Sequence, residues 1–211
     1  MLEQLNGATR VHFIVGDPIA QVKSPSGVTQ AFESHGRNAI CVPAHVAPAD
    51  LAAWKEGVSL SKSVDGIIVT VPHKFACFEL CATASERATF LRTVNTMRRN
   101  PDGSWHGDMF DGLGFVEAMR AKGCEPQGKK ALLVGAGGAG SAIAHALVLA
   151  GVRELAIHDP DTTRRDTLDY AYWTSQGWTD PARDFYIPHE ASRLKVLLAR
   201  LAGALIAPLV S

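Results

Sequence analysis

Apolar runs along the chain are short, and they alternate between strand-like and helix-like spacing. Thr9 to Val15 (TRVHFIV) predicts a buried strand, broken by Gly16-Asp17-Pro18. Ser24-Pro25 predicts a helix start, with Ser24 as N-cap and Pro25 at the first helical position. That helix should run to about His35 and stop at Gly36. Ala39 to Pro43 predicts a second strand, and Pro48 to about Val58 a helix with Leu51, Ala52 and Trp54 on its apolar side. Gly66 to Val71 (GIIVTV) is apolar on both faces, as a parallel-sheet strand should be. His73 to Thr83 and Ser85 to Leu91 predict helices. Val94 to Arg99 and Ser104 to Met109 predict a hairpin about Asn100-Pro101-Asp102-Gly103. A helix from about Gly112 to Ala121 leads to Gly123.

A polar break, Glu125 to Lys130, is the expected domain boundary. A second unit follows: a strand at Ala131 to Val134, a small-residue helix at Gly138 to Ala150 closed by Gly151, and a strand at Glu154 to Asp159. Thr162 to about Gln176 predicts a helix, Asp184 to Pro188 a short strand, and Ala191 to Val210 a strongly apolar helix. Lys195, Arg200 and Pro208 fall within that last segment and favour a buried or partner-packing helix over a membrane span. The alternation predicts an α/β protein with a parallel sheet.

Composition narrows the classes. The 211 residues are 46% hydrophobic and 20% charged, which suits a globular chain with a core. Net charge is zero, with no basic block, so neither nucleic acid nor an anionic membrane is an expected partner. The cysteines Cys41, Cys77, Cys81 and Cys124 make no Cys-x-x-Cys pair, and no metal site is expected. The opening MLEQLNGATR lacks an apolar signal core, so the expected compartment is cytoplasmic.

The chemistry-bearing motif is Gly135-Ala136-Gly137-Gly138-Ala139-Gly140, set between an apolar strand and a helix. Gly135 permits a tight turn, Gly137 a close backbone approach to pyrophosphate, and Gly140 close helix–strand packing. Asp159 lies 19 residues after Gly140, where an acid accepts hydrogen bonds from ribose and repels a 2′-phosphate. NAD is therefore the expected cofactor, with NADP second because Arg164 and Arg165 are close by. A βα turn that binds nothing, and Asp159 as a helix N-cap, are the plainer alternatives.

Several segments together resemble the shikimate dehydrogenase family. Gly16-Asp17-Pro18-Ile19 with Ser24-Pro25 is similar to its G-x-P-I-x-H-S-x-S-P motif. Gly66 through Lys74 (GIIVTVPHK) resembles G-x-N-V-T-x-P-x-K, and Val94-Asn95-Thr96-Met97 resembles A-x-N-T-L. Gly107 through Asp111 to Gly114 matches the spacing of G-x-N-T-D-G-x-G, and the glycine turn is also similar. The resemblance covers about residues 10–160. It implies an N-terminal three-layer α/β substrate lobe (1–110), a connecting helix (111–124) and a shortened Rossmann-type lobe (125–211). It implies hydride transfer between a nicotinamide cofactor and a shikimate- or quinate-like cyclic hydroxy acid. Lys74 and Asp111 are implied as the catalytic pair, and Ser24, Thr70, Asn95 and the position of Val22 as substrate contacts.

The match departs from the family pattern at four places. Gln21 and Val22 replace the histidine and first serine of H-S-x-S, Ile68 replaces the asparagine of N-V-T, and Met109-Phe110 replaces N-T. Each lost hydrogen bond to a carboxylate should cost about 1–3 kcal/mol of affinity, so a less polar cyclic substrate is an alternative to shikimate or quinate. The family's later motifs are also missing beyond about Thr162. An incomplete cofactor lobe is therefore expected, its open sheet flank covered by the apolar 191–210 helix or by a homodimer. The alternative function is a dinucleotide- or small-acid-binding protein without turnover.

Overall fold

The computed structural model describes residues 5–158 and 194–197. They form two compact units that divide between Met109 and Phe110. The first begins with β1 (Arg10–Gly16), α1 (Ser24–Ser34) and β2 (Ala39–His45), and a 3-10 turn (Pro48–Asp50) leads into α2 (Leu51–Ser59). It continues with β3 (Val64–Val69), α3 (Lys74–Glu79), β4 (Thr83–Ala84), α4 (Glu86–Leu91), β5 (Thr96–Arg99) and β6 (Trp105–Asp108). These strands make one sheet in the order β2-β1-β3-β5-β6-β4. β1 pairs parallel with β2 and β3, and β5 pairs antiparallel with β3 and β6.

The expected hairpin is the β5–β6 pair. Gly103 turns it at a φ of 84°, which only glycine adopts without strain, and its N–H donates to Asn100 O at 2.9 Å. The expected helix at His73 to Thr83 is shorter. It stops at Glu79 because Thr83–Ala84 pairs with β6 as a strand. The core lies where Ile67 of β3 faces Met97 of β5, with Trp105, Val15, Val69 and Val94 also fully buried. Each such side chain stabilises the unit by about 1.5–3 kcal/mol. Trp105 satisfies its indole N–H by donating to Ser59 Oγ at 2.8 Å.

The second unit contains α5 (Asp111–Ala121), β7 (Lys130–Val134), α6 (Gly138–Leu149), β8 (Glu154–His158) and β9 (Leu194–Leu197). The polar break at 125–130 lies inside this unit, between α5 and β7. β7 and β8 run parallel, and α5 packs on α6. The described residues within the apolar 191–210 segment depart from the helical expectation. Leu194–Leu197 is a strand, paired antiparallel with β8 from Leu155↔Leu197 to His158↔Leu194. The outer edge of β8 offers a row of unpaired backbone groups, and ladder bonds satisfy them where a helix could not. The predicted helix at Thr162 to Gln176, the predicted strand at Asp184 to Pro188, and Asp159 all lie outside the described residues. Among the described residues no helix is long and apolar enough to cross a membrane.

Candidate active site

In the first unit β2 and β3 lie on opposite sides of β1. The connections leaving β1 and β3 therefore diverge, which opens a crevice beyond their carboxyl ends, the usual ligand site of such sheets. Two turns border it, Gly16-Asp17-Pro18 and Thr70-Val71-Pro72. They are tied by Asp17 N donating to Val71 O and Thr70 N donating to Val15 O, both at 3.0 Å. Gly16 is required by space. A Cβ there would lie 2.5 Å from Thr70 Cγ2, 2.9 Å from the Val71 carbonyl oxygen and 3.2 Å from Ile19 Cδ1.

Backbone bonds gather the segments carrying Thr70, Lys74 and Asn95 at this end of the sheet. Val69 N donates to Asn95 O at 2.8 Å, Val94 N to Lys74 O at 3.1 Å, and Asn95 N to Asp108 O at 2.9 Å. Thr70, Lys74 and Asn95 are each half-buried. Lys74 opens α3 directly after His73, whose buried ring donates from Nε2 to the Val46 carbonyl at 2.8 Å. That bond pins the loop carrying Lys74 to the segment after β2. In the sequence His73 stood out only as a near neighbour of Lys74 and of the Cys77 and Cys81 thiols.

Ser24 differs from its expected capping role. Lys23 is the N-cap and already has helical φ and ψ of −109° and −10°, so Ser24 is the first residue of α1. The half-buried Ser24 hydroxyl has no hydrogen-bond partner among the described residues. Val22 follows a turn in which its N–H donates to Ile19 O at 3.2 Å. It packs with Val28 and Ile68 on the buried cluster of Ile14, Ile19 and Cys41. Two of the family departures, Val22 and Ile68, thus share one apolar cluster.

Ahead of the second unit, the Asp108 carboxylate accepts from Ser85 Oγ at 2.5 Å, Arg87 at 2.6 Å and Met109 N at 2.7 Å. Burial, the largest influence, pushes its pKa up, but these three donors together outweigh it and hold it below the ordinary carboxylate value. Asp108 was not marked in the sequence. A polar residue before an apolar pair, Met109-Phe110, was the available signal. In the second unit Asp111 is half-buried and is the first residue of α5, where a carboxylate is favoured by the helix dipole.

The glycine turn has the shape its sequence predicts. Gly135 has a φ of 100°, Gly137 is extended, and Gly138 begins α6. A Cβ on Gly140 would lie 2.2 Å from the Gly135 carbonyl oxygen, so only glycine lets α6 close on the turn. Ser141 Oγ donates to Ala136 O at 3.1 Å and braces it. Ala136 is buried and Ala139 is exposed. This tight backbone cradle at the start of a twelve-residue helix fits a dinucleotide pyrophosphate. Burial pushes the Cys77 thiol up to about 12 and the Cys41 and half-buried Cys81 thiols to about 11, which disfavours the reactive thiolate form. Among the described residues there is no metal-ligating cluster.

Residues 14–97 match the family description "Shikimate dehydrogenase substrate binding domain", and residues 126–168 match the ThiF family. A shikimate dehydrogenase (NADP(+)) of Rubrobacter xylanophilus is 38% identical over 154 residues, which is 73% of this chain and 54% of that protein. The chain thus spans about half the length of the curated relatives it matches. The crystal structure of shikimate 5-dehydrogenase from Listeria monocytogenes in complex with shikimate and NAD has a TM-score of 0.72 at 26% identity, covering 82% of this chain and 60% of that one. The ligand-free 5-ketofructose reductase of a Gluconobacter strain has a TM-score of 0.69 at 25% identity, covering 81% and 60%.

Proposed function

The chain belongs to the shikimate dehydrogenase family, and from that premise we propose that it transfers a hydride between NAD(P) and the ring hydroxyl or ketone of a shikimate- or quinate-like cyclic acid. The observation that supports this reading is that backbone hydrogen bonds tie the segments carrying Thr70, Lys74 and Asn95 together at one end of the sheet. The relatives include an NADP(+)-dependent shikimate dehydrogenase, one bound to shikimate and NAD, and a 5-ketofructose reductase. Their common chemistry is oxidation or reduction at one carbon of a polyhydroxylated compound.

An alcohol carbon that loses hydride must also lose its hydroxyl proton. Lys74 is the group proposed to take or return that proton at the hydroxyl oxygen. Asp111 is proposed as the second acid–base group, accepting a hydrogen bond and fixing which way the hydroxyl points. Ser24, Thr70 and Asn95 are proposed to hydrogen-bond the ring hydroxyls, and Val22 to border the ring. Residues 135–140 would hold the pyrophosphate through backbone N–H groups at the start of α6. A bound nicotinamide supplies the hydride acceptor or donor. Asp159 supports NAD as the preferred form, and both forms are to be assayed. A soluble cytoplasmic protein, as a monomer or homodimer, is the proposed setting.

The assay is absorbance at the reduced-nicotinamide band, with shikimate and quinate and with NAD and NADP separately. Lys74→Ala is expected to abolish turnover while leaving cofactor binding nearly unchanged, and equal turnover in that variant removes Lys74 from the mechanism. A second reading is a dinucleotide- or small-acid-binding protein without turnover, and the same assay separates the two. Cofactor binding with no oxidation of either acid would establish it over the first.

A further inference from the structure

The crevice beyond β1 and β3 is polar on one side and apolar on the other. On the polar side stand Lys74, Thr70 and Asn95, each half-buried. The apolar side is continuous. Ile19 Cδ1 and Thr70 Cγ2 both close on Gly16. Ile19 and Val22 then share a cluster with Ile14 and Ile68, which face each other in register across β1 and β3. Ile68 and Thr70 are two residues apart on one strand and its extension, so they share a face. Val71, at the lip, is an exposed large hydrophobic residue with 52% of its surface accessible. Asp17 stands in the turn beside that lip, with its Oδ1 2.7 Å from His45 Nε2. An apolar wall offers no donor to replace the water a carboxylate would lose.

We propose that the ring substituent facing Ile19, Val22 and Ile68 is uncharged, so that this crevice selects a cyclic hydroxy or keto compound bearing a neutral group in place of a carboxylate. The proposal rests on the reading that the crevice binds a cyclic hydroxy compound, and it names the class that this chain prefers. Val22 and Ile68 are then specificity-determining residues, acting by contact with the substituent. Lys23, exposed at the start of α1, and Lys74 on the polar side are the cations that oppose this preference if they reach a carboxylate.

The test is calorimetric titration of the full chain with two probes of one ring, shikimate and its methyl ester, at neutral pH. The ester is expected to bind about tenfold tighter than the anion, the equivalent of one unmade charge-assisted hydrogen bond. Val22→Thr keeps the side-chain shape and adds a hydroxyl, and it should narrow the gap at least about threefold. The wild-type comparison needs no variant to fold. Equal or tighter binding of shikimate overturns the proposal, including the case in which Lys23 holds the carboxylate. If shikimate is also oxidised, the hydride-transfer reading survives that result. Failure of both probes to bind overturns the proposal and the proposed function together.

Discussion

Two glycines near the start of α5 are expected to respond in opposite directions to the same substitution. A Cβ on Gly112 would stand 2.0 Å from the Ala142 carbonyl oxygen and 2.8 Å from Ala146 Cβ, both on α6. Ordinary carbon–oxygen contact begins more than 1 Å farther out, about 3.3 Å or more, and a backbone carbonyl cannot swing aside as a flexible side chain can. The Gly112→Ala variant must therefore push α5 off α6, loosening the contacts of Ala142, Ala146 and Val116, all buried. Overpacking of this kind costs about 1–3 kcal/mol. The gain in helix propensity from glycine to alanine returns at most about 1 kcal/mol. A net loss of about 1–2 kcal/mol is expected. Gly114, two residues along, has nothing within 4 Å of its would-be Cβ. Gly114→Ala collects the propensity gain alone and should stabilise by about 0.5–1 kcal/mol. Urea denaturation followed by far-ultraviolet circular dichroism measures both. The midpoint should fall for Gly112→Ala and rise for Gly114→Ala with unchanged m-values. A Gly112→Ala protein as stable as wild type would refute the close α5–α6 approach.

Arg92 ends α4 in the left-handed region, at a φ of 52° and ψ of 34°. Arg92→Gly should raise the melting temperature by relieving about 1 kcal/mol of strain, less a small contribution from its exposed pair with Glu79. His12 packs on Phe32 with ring centroids 4.5 Å apart, and burial holds its imidazole below the ordinary 6.5. The unfolded chain therefore binds the proton first as pH falls, so this stabilisation is complete above 6.5 and is lost as pH drops toward the folded value. Chemical denaturation across that window should show a slope that His12→Leu flattens, and an unchanged slope would assign it to another group. Asp108→Asn gives up the charge that Ser85 and Arg87 hydrogen-bond, and should destabilise by about 1–2 kcal/mol. Thermal unfolding of the variant against wild type checks that loss.

Much of this protein was decided locally, and those parts were legible in its sequence. Continuous apolar runs marked β1 and β3 because both faces of a parallel strand are buried. Asn100 to Gly103 fixed the hairpin because a four-residue turn needs a residue free to take positive φ. Gly135 and Gly140 carried the turn because one needs positive φ and the other must have no Cβ. Tertiary structure decided what depends on distant partners. Ser24 lost its expected cap because Lys23 already adopts helical angles. Leu194–Leu197 became a strand because β8 offered an open edge, a fact about a neighbour more than thirty residues away. Lys74 and Asn95 are 21 residues apart in sequence, and their segments lie side by side because β5 returns beside β3 and Val94 N bonds to Lys74 O. Val22 and Ile68 looked like two separate losses of polarity, and folding made them one apolar wall. Sequence carries backbone freedom and residue period, but the company a side chain keeps is set by which strands come to lie together.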